Sequence, residues 1–408
     1  MREPTRKLKR ILIFSLAYFP DHVGGAEIAI KEITSRISSK DIEFHLITLR
    51  FDTALRKQSR EGNVFIHRVG WGRRGASVGK TFTPFFFFSK ILFILCAALR
   101  ARQLHRVHPF DGYWAMMTYM LFPIVLLRLV GIRAPYALTL QEGDPLKRVF
   151  QRRRIAFFSP LLSVGFKNAT VVQTISTFLA KWARQRGFHG PLEVIPNGVA
   201  IKHFSQTISS DVLIRTKREL GKKVGDVFLV TTSRLVYKNA VDDVINALSL
   251  LPEHIHFVIF GTGPEEMKLR KLSEEKGVLK RTHFRRQISH NDMPRYLKAC
   301  DIFIRPSRSE GMGNSFVEAF AAGIPVIATQ EGGIVDFLFD AKRNPDKQPT
   351  GFAVDTDSPQ QIAQAVTDTI EHPDMVRGVC ANALQLAKEK YDWDLITCGM
   401  KMKVFDRL

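Results

Sequence analysis

The segment Asp301-Ile-Phe-Ile-Arg-Pro-Ser-Arg-Ser-Glu310-Gly-Met-Gly-Asn-Ser-Phe-Val-Glu318-Ala-Phe-Ala-Ala322 decides the fold. Its apolar start predicts a buried strand over Asp301–Ile304, and the spacing of its end predicts a helix over Ser315–Ala322. Between them lies a loop that contains two glycines. Glycines let the backbone approach a ligand, and the start of a helix favours phosphate. In open α/β sheets ligands bind beyond the carboxyl ends of strands, so this loop is a candidate ligand site.

The same alternation of strand and helix continues outward in both directions. In the second half, predicted strands are Val227–Thr232, Ile255–Phe260 and Ile324–Ala328, and predicted helices are Val241–Leu250, Glu265–Glu275 and Asn291–Ala299. In the first half, predicted strands are Ile11–Leu16, Phe44–Leu49, Val64–Val69, Tyr136–Leu140 and Ala169–Gln173. Pro and Gly interrupt the pattern at Val194–Val199. The sequence therefore predicts an α/β chain of two doubly wound Rossmann-like domains that join near residue 198.

Two further glycine pairs follow predicted strands. Gly24-Gly25 comes after the first strand, and Gly261-Thr-Gly263 comes after Ile255–Phe260. Neither completes the dinucleotide-binding fingerprint, and the chain contains no Walker A lysine motif. The pattern does not indicate a dehydrogenase or a P-loop enzyme.

Two glutamates flank the glycine loop, and they differ in what they imply. Ser315-Phe-Val-Glu318 fits the capping box, in which Glu318 would only satisfy the start of a helix. Capping and ligand binding are equally compatible with that glutamate. Glu310 precedes a Gly-Met-Gly turn, where a carboxylate has no evident structural role, so it is the stronger candidate for chemistry.

With these residues the chain resembles the family 4 retaining glycosyltransferases, which have the GT-B fold. The resemblance rests on a Glu-x7-Glu pattern at Glu310 and Glu318, and on further motifs in the expected order along nearly the whole chain. Those motifs are Gly24-Gly-Ala-Glu27, Ile195-Pro-Asn-Gly-Val199, Ser233-Arg-Leu-Val236, Phe260-Gly-Thr-Gly-Pro264, Glu331-Gly-Gly333 and Tyr391-Asp-Trp-Asp394.

The resemblance implies two facing domains. Residues 1–198 would bind the acceptor, residues 199–390 would bind a nucleotide-sugar donor, and residues 391–408 would form a helix that packs back on the first domain. Glu310 would face the donor sugar, Glu318 would bond the ribose, and Arg234 would neutralise the diphosphate. The donor-binding residues implied are Gly24, Gly25, Arg234, Lys238, Gly261, Gly263, Glu310, Gly313, Asn314, Ser315, Phe316 and Glu318. Fixed cations and N–H donors suit a leaving diphosphate.

The chain departs from the family pattern at two places near the expected chemistry. The family usually has a lysine five residues beyond the arginine, where this chain has Asn239, and Lys238 stands one position early. Many members carry a histidine after the strand Tyr136–Leu140, where this chain has Gln141 followed by Glu142. We expect Gln141 or Glu142 to orient the acceptor hydroxyl.

The charge is unevenly distributed. The chain carries a formal net charge of +21, and residues 1–198 hold 31 basic and 12 acidic residues against 29 and 27 in the remainder. Basic clusters at Arg6–Arg10 and Lys147–Arg154 favour an anionic partner over a merely solvated surface. Four adjacent phenylalanines, Phe85–Phe88, lie in an apolar stretch that Lys90 interrupts, too short for a membrane span. We expect them to enter an anionic bilayer interface, the alternative being a buried helix.

Cysteine and carboxylate spacing indicates neither disulfides nor a metal. The four cysteines are scattered without a C-x-x-C pair, which fits a reduced, cytoplasmic protein. Asp355-Thr-Asp357 and Asp392-Trp-Asp394 match the D-x-D motif of the other major glycosyltransferase fold. The first precedes a Ser-Pro helix start, which favours a turn or cap role. We expect no cofactor and no catalytic metal.

The predicted function is retaining transfer of a sugar to a membrane-associated glycan or lipid-linked acceptor, in surface polysaccharide or glycolipid biosynthesis. The enzyme would be peripheral on the inner face of the cell membrane. A sugar-nucleotide epimerase of the same fold and a basic nucleic-acid-binding protein remain alternatives. The charge asymmetry disfavours the first. The chain shows no recognisable nucleic-acid-binding module, so we expect no specific nucleic-acid partner.

Overall fold

A computed structural model describes residues 8–19, 24–76, 84–143 and 159–408. The chain divides into two compact units, one made of residues 1–197 and 393–408 and the other of residues 198–392. Arg6 and Lys7 of the first basic cluster and all of Lys147–Arg154 lie outside the described residues.

The first unit is built on a sheet of eight described strands. The order across the sheet is β3-β4-β2-β1-β5-β6-β7-β8, and every pair is parallel except β3 with β4. The strands are β1 (Lys9–Phe14), β2 (Ile42–Leu49), β3 (Gln58–Glu61), β4 (Val64–Val69), β5 (Gly112–Met116), β6 (Tyr136–Leu140), β7 (Val171–Thr174) and β8 (Leu192–Val194). Continuous burial of β5 and β6 is typical of a sheet that is covered on both faces.

Helices cover this sheet. They are α1 (Gly25–Arg36), α2 (Pro84–Val107), α3 (Leu121–Leu129), α4 (Ser159–Lys167), α5 (Thr177–Gln185) and, from the other end of the chain, a helix over Trp393–Lys403. That last helix packs on α1, and the 3₁₀ turn after it brings Phe405 against Phe44 and Trp114. Residues 393–408 therefore complete the core of the first unit.

The second unit contains a sheet of six described strands, all parallel, in the order β11-β10-β9-β12-β13-β14. They are β9 (Val227–Thr232), β10 (Ile255–Phe260), β11 (Thr282–Arg285), β12 (Ile302–Arg305), β13 (Val326–Thr329) and β14 (Phe352–Val354). The apolar side chains of these strands and of the covering helices form one core around Phe257, Ile259 and Ile304.

Eight helices of this unit are described. They are α6 (Ile201–Ser205), α7 (Ser210–Leu220), α8 (Val241–Leu248), α9 (Glu266–Glu275), α10 (Met293–Ala299), α11 (Asn314–Ala322), α12 (Pro359–Glu371) and α13 (Pro373–Lys390). The helix over Trp393–Lys403, which belongs to the first unit, is then α14. Each strand of the sheet is followed by a helix or a short 3₁₀ turn, which is the doubly wound pattern.

The α/β class and the alternation of strands and helices agree with the sequence analysis, with some strands missed. The apolar periodicity did not predict β3, β5, β8, β11 or β14. All five have three to five residues, which is too short for a clear pattern.

Candidate active site

The order of strands reverses between β9 and β12. The strands β10 and β11 lie on one side of that pair, and β13 and β14 lie on the other. The loops after β9 and β12, residues 233–239 and 306–313, therefore leave the sheet side by side at a topological switch point. Ligands of open α/β sheets bind at such a point, beyond the carboxyl ends of the strands.

A buried arginine at the end of β12 organises this point. Arg305 is 6% exposed, its Nη2 donates to Glu310 Oε2 at 3.0 Å, and its Nη1 donates to Ser315 Oγ at 2.9 Å. The guanidinium lies over the ring of Phe316, 4.1 Å from the centroid. Burial lowers the pKa of Arg305, and the nearby carboxylates of Glu310 and Glu318 oppose that shift. Arg305 was not predicted as a site residue, although a charged residue directly after an apolar strand was the available signal.

Glu310 is held from both its side chain and its backbone. Its carboxylate is 14% exposed, with Oε2 paired to Arg305 and Oε1 accepting from the backbone N–H of Gly311 at 3.1 Å. Its carbonyl accepts from the N–H of Gly333 at 3.0 Å. A carboxylate so restrained keeps one orientation at the switch point.

The start of helix α11 does not match the capping box that Ser315 and Glu318 could have formed. It starts at Asn314, its N-cap is Gly313, and no side chain caps it. Ser315 lies inside the first turn and accepts from Arg305, so the capping box does not form. Gly313 has φ of +85°, and a Cβ there would lie 2.6 Å from Arg305 Nη2, so only glycine fits.

Glu318 lies one turn further along α11. Its carboxylate is 14% exposed, and Oε1 is 3.3 Å from Nε2 of His290. The ring of His290 stacks near His203 and packs edge-on against Phe204. Glu310 and Glu318 therefore belong to one region of the second unit, and both carboxylates remain partly accessible.

Arg234 follows β9 and is exposed, with no ion-pair partner among the residues that the structure describes. The residue that replaces the family lysine shapes the same loop, because Asn239 Nδ2 donates to the Arg234 carbonyl at 2.6 Å. The carbonyl of Lys238 accepts from the N–H of Arg308 at 2.8 Å. The departure at Asn239 thus has a structural role in fixing the backbone beside Arg234.

The glycines after β10 contact the neighbouring loop. Gly261 has φ of +154°, and a Cβ would lie 1.9 Å from the Ser233 carbonyl oxygen. A Cβ on Gly263 would lie 2.2 Å from the Leu235 carbonyl oxygen. Close packing between two backbone loops accounts for both glycines, and it fixes the loop that carries Arg234.

A second arginine, which the sequence analysis also missed, ties this edge together. Arg308 pairs with Asp242, Asp243 and Asp357 at 2.7 to 2.9 Å. Burial and the neighbouring Asp242 raise the pKa of Asp243 to about 6. The network joins the loop after β12 to the start of α8 and to the turn before α12.

Several buried polar atoms at this edge have no partner within the described protein. They are Thr231 Oγ1, Thr232 Oγ1, Ser233 Oγ, Ser307 Oγ and Arg305 Nε. All lie at or next to the carboxyl ends of β9 and β12. Buried polar groups are normally hydrogen-bonded, so these atoms mark a place where a polar ligand or water can bind.

In the first unit Gln141 and Glu142, the residues expected to orient the acceptor, are held by hydrogen bonds, with no buried ion pair to another residue that the structure describes. Gln141 and Asn197 exchange two amide hydrogen bonds of 3.1 Å. Glu142 Oε1 accepts from the N–H and hydroxyl of Thr118 at 2.8 and 2.6 Å, and Oε2 accepts from the N–H of Gln141. These bonds fix Gln141 and Glu142 after β6.

Gly24 and Gly25 begin α1, directly beyond the carboxyl end of β1 and its loop. Gly24 donates its N–H to Glu27 Oε2 at 2.9 Å, and burial raises the pKa of that glutamate. A Cβ on Gly25 would meet Asn197 Nδ2 at an ordinary 3.8 Å. Local packing therefore does not explain why a glycine stands at position 25.

Comparison with known proteins gives the same assignment over most of the chain. Residues 23–203 match the model of Glycosyltransferase Family 4, and residues 214–386 match that of Glycosyl transferases group 1. The chain belongs to the family 4 glycosyltransferases.

The similar proteins include enzymes of known fold and named activity. A GDP-mannose-dependent alpha-(1-6)-phosphatidylinositol monomannoside mannosyltransferase of Mycobacterium tuberculosis is 29% identical over 287 residues, 63% of this chain and 72% of that protein. Sucrose-phosphate synthase of Thermosynechococcus elongatus superposes with a TM-score of 0.80 at 17% identity, over 96% and 97% of the two chains. Anabaena HepE in complex with UDP-glucose gives 0.77 at 18%, over 97% and 99%. The fold of this glycosyltransferase is GT-B.

Neither D-x-D motif of the glycosyltransferase forms a cluster of potential metal ligands. Asp355 pairs with Arg343 at 2.9 Å and bonds Gln361, while Asp357 pairs with Arg308. In the part of the chain that the structure describes, no group of three His, Cys, Asp or Glu side chains is placed to hold a metal ion.

The helix α2 of the glycosyltransferase has an exposed apolar face. Phe88, Ile91, Leu95 and Leu99 are 47 to 71% exposed and lie three or four residues apart, hence on one side. The opposite side of the helix is buried and includes Phe86, Phe93, Ala97 and Ala101. Within the described residues, no helix combines the length and apolarity needed to cross a membrane.

The expected insertion of Phe85–Phe88 needs correction in detail. Phe86 is 4% exposed and packs near Phe51, while Phe85 is half-buried beneath the guanidinium of Arg73. Only Phe87 and Phe88 face outward, because four consecutive helical residues point in four directions around the axis.

Proposed function

We propose that this glycosyltransferase moves a sugar, with retention of configuration, from a nucleoside diphosphate sugar to a membrane-associated glycan or lipid-linked acceptor. The reaction would belong to the synthesis of a surface polysaccharide or glycolipid. The observation that carries the donor half is the group of residues at the β9/β12 switch point. There Glu310 and Glu318 lie beside the start of α11, and an exposed Arg234 follows the adjacent strand.

Each residue has a defined part in the proposal. The first-turn amides of α11, from Gly313 to Phe316, would bind the sugar and diphosphate, since a helix N-terminus favours anions. Glu318 would accept from the ribose hydroxyls. Glu310 would face the donor sugar, where positive charge develops as the bond to the diphosphate breaks.

The departing diphosphate gains negative charge in the transition state, so a fixed cation close to it lowers the barrier. Arg234 suits that role, because its backbone is held by Asn239 and its side chain is exposed. In the first unit, Gln141 and Glu142 would orient the acceptor hydroxyl, their positions fixed by Asn197 and Thr118. No metal is required in this scheme.

The membrane half of the proposal rests on α2. Its exposed stripe from Phe88 to Leu99 is continued on the same side by Arg102 and Arg106, so an apolar face is followed by a basic end. Such a helix can lie in a bilayer interface with its cations near anionic headgroups, each worth about 1 kcal/mol. The similarity to an enzyme named for a phosphatidylinositol mannoside acceptor is consistent with this placement. The protein would then be peripheral on the inner face of the cell membrane.

Thermal unfolding with nucleotides tests the donor site. Wild type and Glu318→Ala are heated with UDP, GDP, ADP or CMP in the absence of added metal. A ligand at 100 times its Kd stabilises the folded state by about 2.7 kcal/mol. We expect one nucleotide to stabilise wild type and to lose most of that effect in the variant. If no nucleotide shifts wild type, the donor site is rejected.

Liposome flotation tests the membrane face. We expect Phe88→Ser/Ile91→Ser/Leu95→Ser to release the protein from vesicles that contain phosphatidylglycerol, because the apolar stripe is interrupted. The matched control is Ile214→Ser/Met267→Ser, which changes exposed apolar residues of the second unit. Unchanged flotation of the α2 variant would contradict the proposal.

A further inference from the structure

Arg305 is a buried cation in a protein interior that otherwise consists of apolar strands. It is one of the few charged side chains of β9–β14 that the sheet buries, and its neighbours on β12 are Ile302, Phe303 and Ile304. A buried charge is unfavourable unless it is paired and hydrogen-bonded. The partners of Arg305 are Glu310, Ser315 and the carbonyl of Thr232 at 3.5 Å.

We infer that Arg305 is a positioning residue for the donor sugar: it holds the Glu310 carboxylate at the start of α11 in the orientation that the sugar meets. The inference rests on the proposed function. The terminal nitrogens of Arg305 bond protein acceptors and Phe316 covers the plane of its guanidinium, so these nitrogens hold Glu310 and Ser315 rather than the sugar.

The contacts link three parts of the proposed site into one rigid group. Arg305 is the end of a central strand, Glu310 is in the loop that follows, and Ser315 is in the first turn of α11. One guanidinium bonds both of the latter, so the carboxylate and the helix start keep a fixed separation. The planar fork of arginine makes two directed bonds at once, which a lysine cannot reproduce.

Stability alone does not account for a cation here. Replacing a buried ion pair by apolar residues of similar volume is often neutral or stabilising. One nitrogen of Arg305, Nε, also has no partner among the described residues. The fold therefore leaves the Arg305 guanidinium incompletely hydrogen-bonded, yet this group directs the Glu310 carboxylate at the proposed ligand site. Its role in positioning Glu310 explains its presence better than stability does.

The inference predicts a selective effect on the sugar part of the donor. The experiment measures Kd by calorimetry for two ligand pairs, UDP with UDP-glucose and GDP with GDP-mannose, in wild type and Arg305→Met. We expect the ratio of the sugar-nucleotide Kd to the nucleoside diphosphate Kd to rise at least about tenfold in the variant, the effect of misplacing a charged hydrogen-bond partner. The Kd of the diphosphate itself should stay within about threefold.

Two further variants separate positioning from folding. Arg281 is a structural arginine that bonds four backbone carbonyls, and Arg281→Met should lower the unfolding temperature without changing the ratio. Glu310→Gln should raise the ratio as Arg305→Met does, and adding Arg305→Met to it should change the ratio little further. If Arg305→Met does not fold, Arg305→Lys replaces it and should shift the ratio in the same direction.

The outcomes are distinguishable. If wild type binds none of the four ligands and neither ADP nor CMP stabilises it, the proposed donor site fails and the inference with it. If wild type binds but both Kd values change equally in Arg305→Met, or the ratio is unchanged, the donor site stands and the positioning role is rejected. If the ratio of the two Kd values rises as much in Arg281→Met as in Arg305→Met, the positioning role of Arg305 is also rejected.

Discussion

The two units share one architecture but fix their candidate residues by different means. In the second unit a buried ion pair between Arg305 and Glu310 sets the carboxylate. In the first unit the amides of Gln141 and Asn197 bond each other, and Glu142 is held by Thr118. In the proposed scheme a buried ion pair thus lies where a diphosphate would leave, and hydrogen bonds from Thr118 and Asn197 hold the side chains where a hydroxyl would be oriented.

The net charge of the two halves of the sequence is distributed the other way. Residues 1–198 carry a net charge of +19, and the remainder of the chain carries +2. The half with few buried ion pairs at its candidate site is therefore the strongly basic half. In the proposed scheme the two kinds of charge would serve different purposes: the buried pair would fix a reacting group, and the net positive charge would attract an anionic partner over a longer range.

Glu310→Gln should give the largest effect on turnover. If it does not, the comparison between the two units fails. With an active donor and acceptor, we expect kcat to fall about 10²- to 10³-fold, the usual result of removing one electrostatic contact to a developing charge. Binding of the nucleoside diphosphate should be unchanged, which calorimetry would check. An unaltered kcat would mean that the second unit does not carry the reacting carboxylate.

The pair Gln141→Ala/Glu142→Gln tests the first unit in the same assay. We expect kcat to fall about tenfold, since the substitutions remove hydrogen bonds that orient a hydroxyl and break no ion pair among the described residues. The Kd of the donor should be unaffected. Turnover equal to wild type would remove both residues from the mechanism and leave the acceptor side to other groups.

A third prediction concerns a feature that the two units share. Each sheet holds a stacked histidine pair on adjacent strands: His45 with His67, and His256 with His283, both with ring nitrogens 3.1 Å apart. Burial, reinforced by the neighbouring histidine, lowers the pKa of His67 and of His283 to about 4.

The unfolded chain therefore binds more protons than the folded one between pH 6.5 and 4, so stability falls as pH decreases through that range. We expect His67→Gln and His283→Gln each to reduce the loss of unfolding free energy between pH 7 and pH 5 by about 1 kcal/mol, after solvent screening. Urea unfolding at pH 7 and pH 5 measures this loss, and His189→Gln, at an exposed histidine, is the control. If either variant loses as much unfolding free energy as wild type between pH 7 and pH 5, the two histidine pairs are not equivalent.

The smallest expected effect is that of chelation. Asp355 and Asp357 are engaged by Arg343 and Arg308, so we expect transfer to continue in EDTA at the wild-type rate. Activity that disappears in chelator and returns with magnesium or manganese would overturn this expectation. It would also require a cation at the departing diphosphate in addition to Arg234.

The sequence predicted those parts of the fold that leave a strong periodic pattern. The long apolar strands β1, β9 and β10 were predicted with nearly correct bounds, whereas β14 has three residues and no pattern. The central strand β5 was missed because Tyr113 and Trp114, both fully buried, are also common at surfaces and interfaces.

The candidate site was predicted as motifs but not as contacts. Glu310 and Glu318 were predicted from their place beside the glycine loop and from the resemblance to the Glu-x7-Glu pattern, and the structure decides against the capping alternative for the latter. Arg305 and Arg308 were missed, because an isolated arginine in a sequence most often indicates a solvated surface. Their role depends on partners such as Asp243, 65 positions away from Arg308, which no local pattern reveals.

Residues 393–408 complete the first unit although the whole second unit separates them from it in the chain. Phe405 is fully buried against Trp114, and the side chain of Leu408 lies where Gly112 has none. During translation at roughly 5–20 residues per second, about 10–40 s would pass between synthesis of β8 and of this segment. The first unit would wait that long with an uncovered aromatic patch. The order of synthesis would thus expose the nascent first unit to chaperones for longer than the second unit, whose segments are contiguous in the chain.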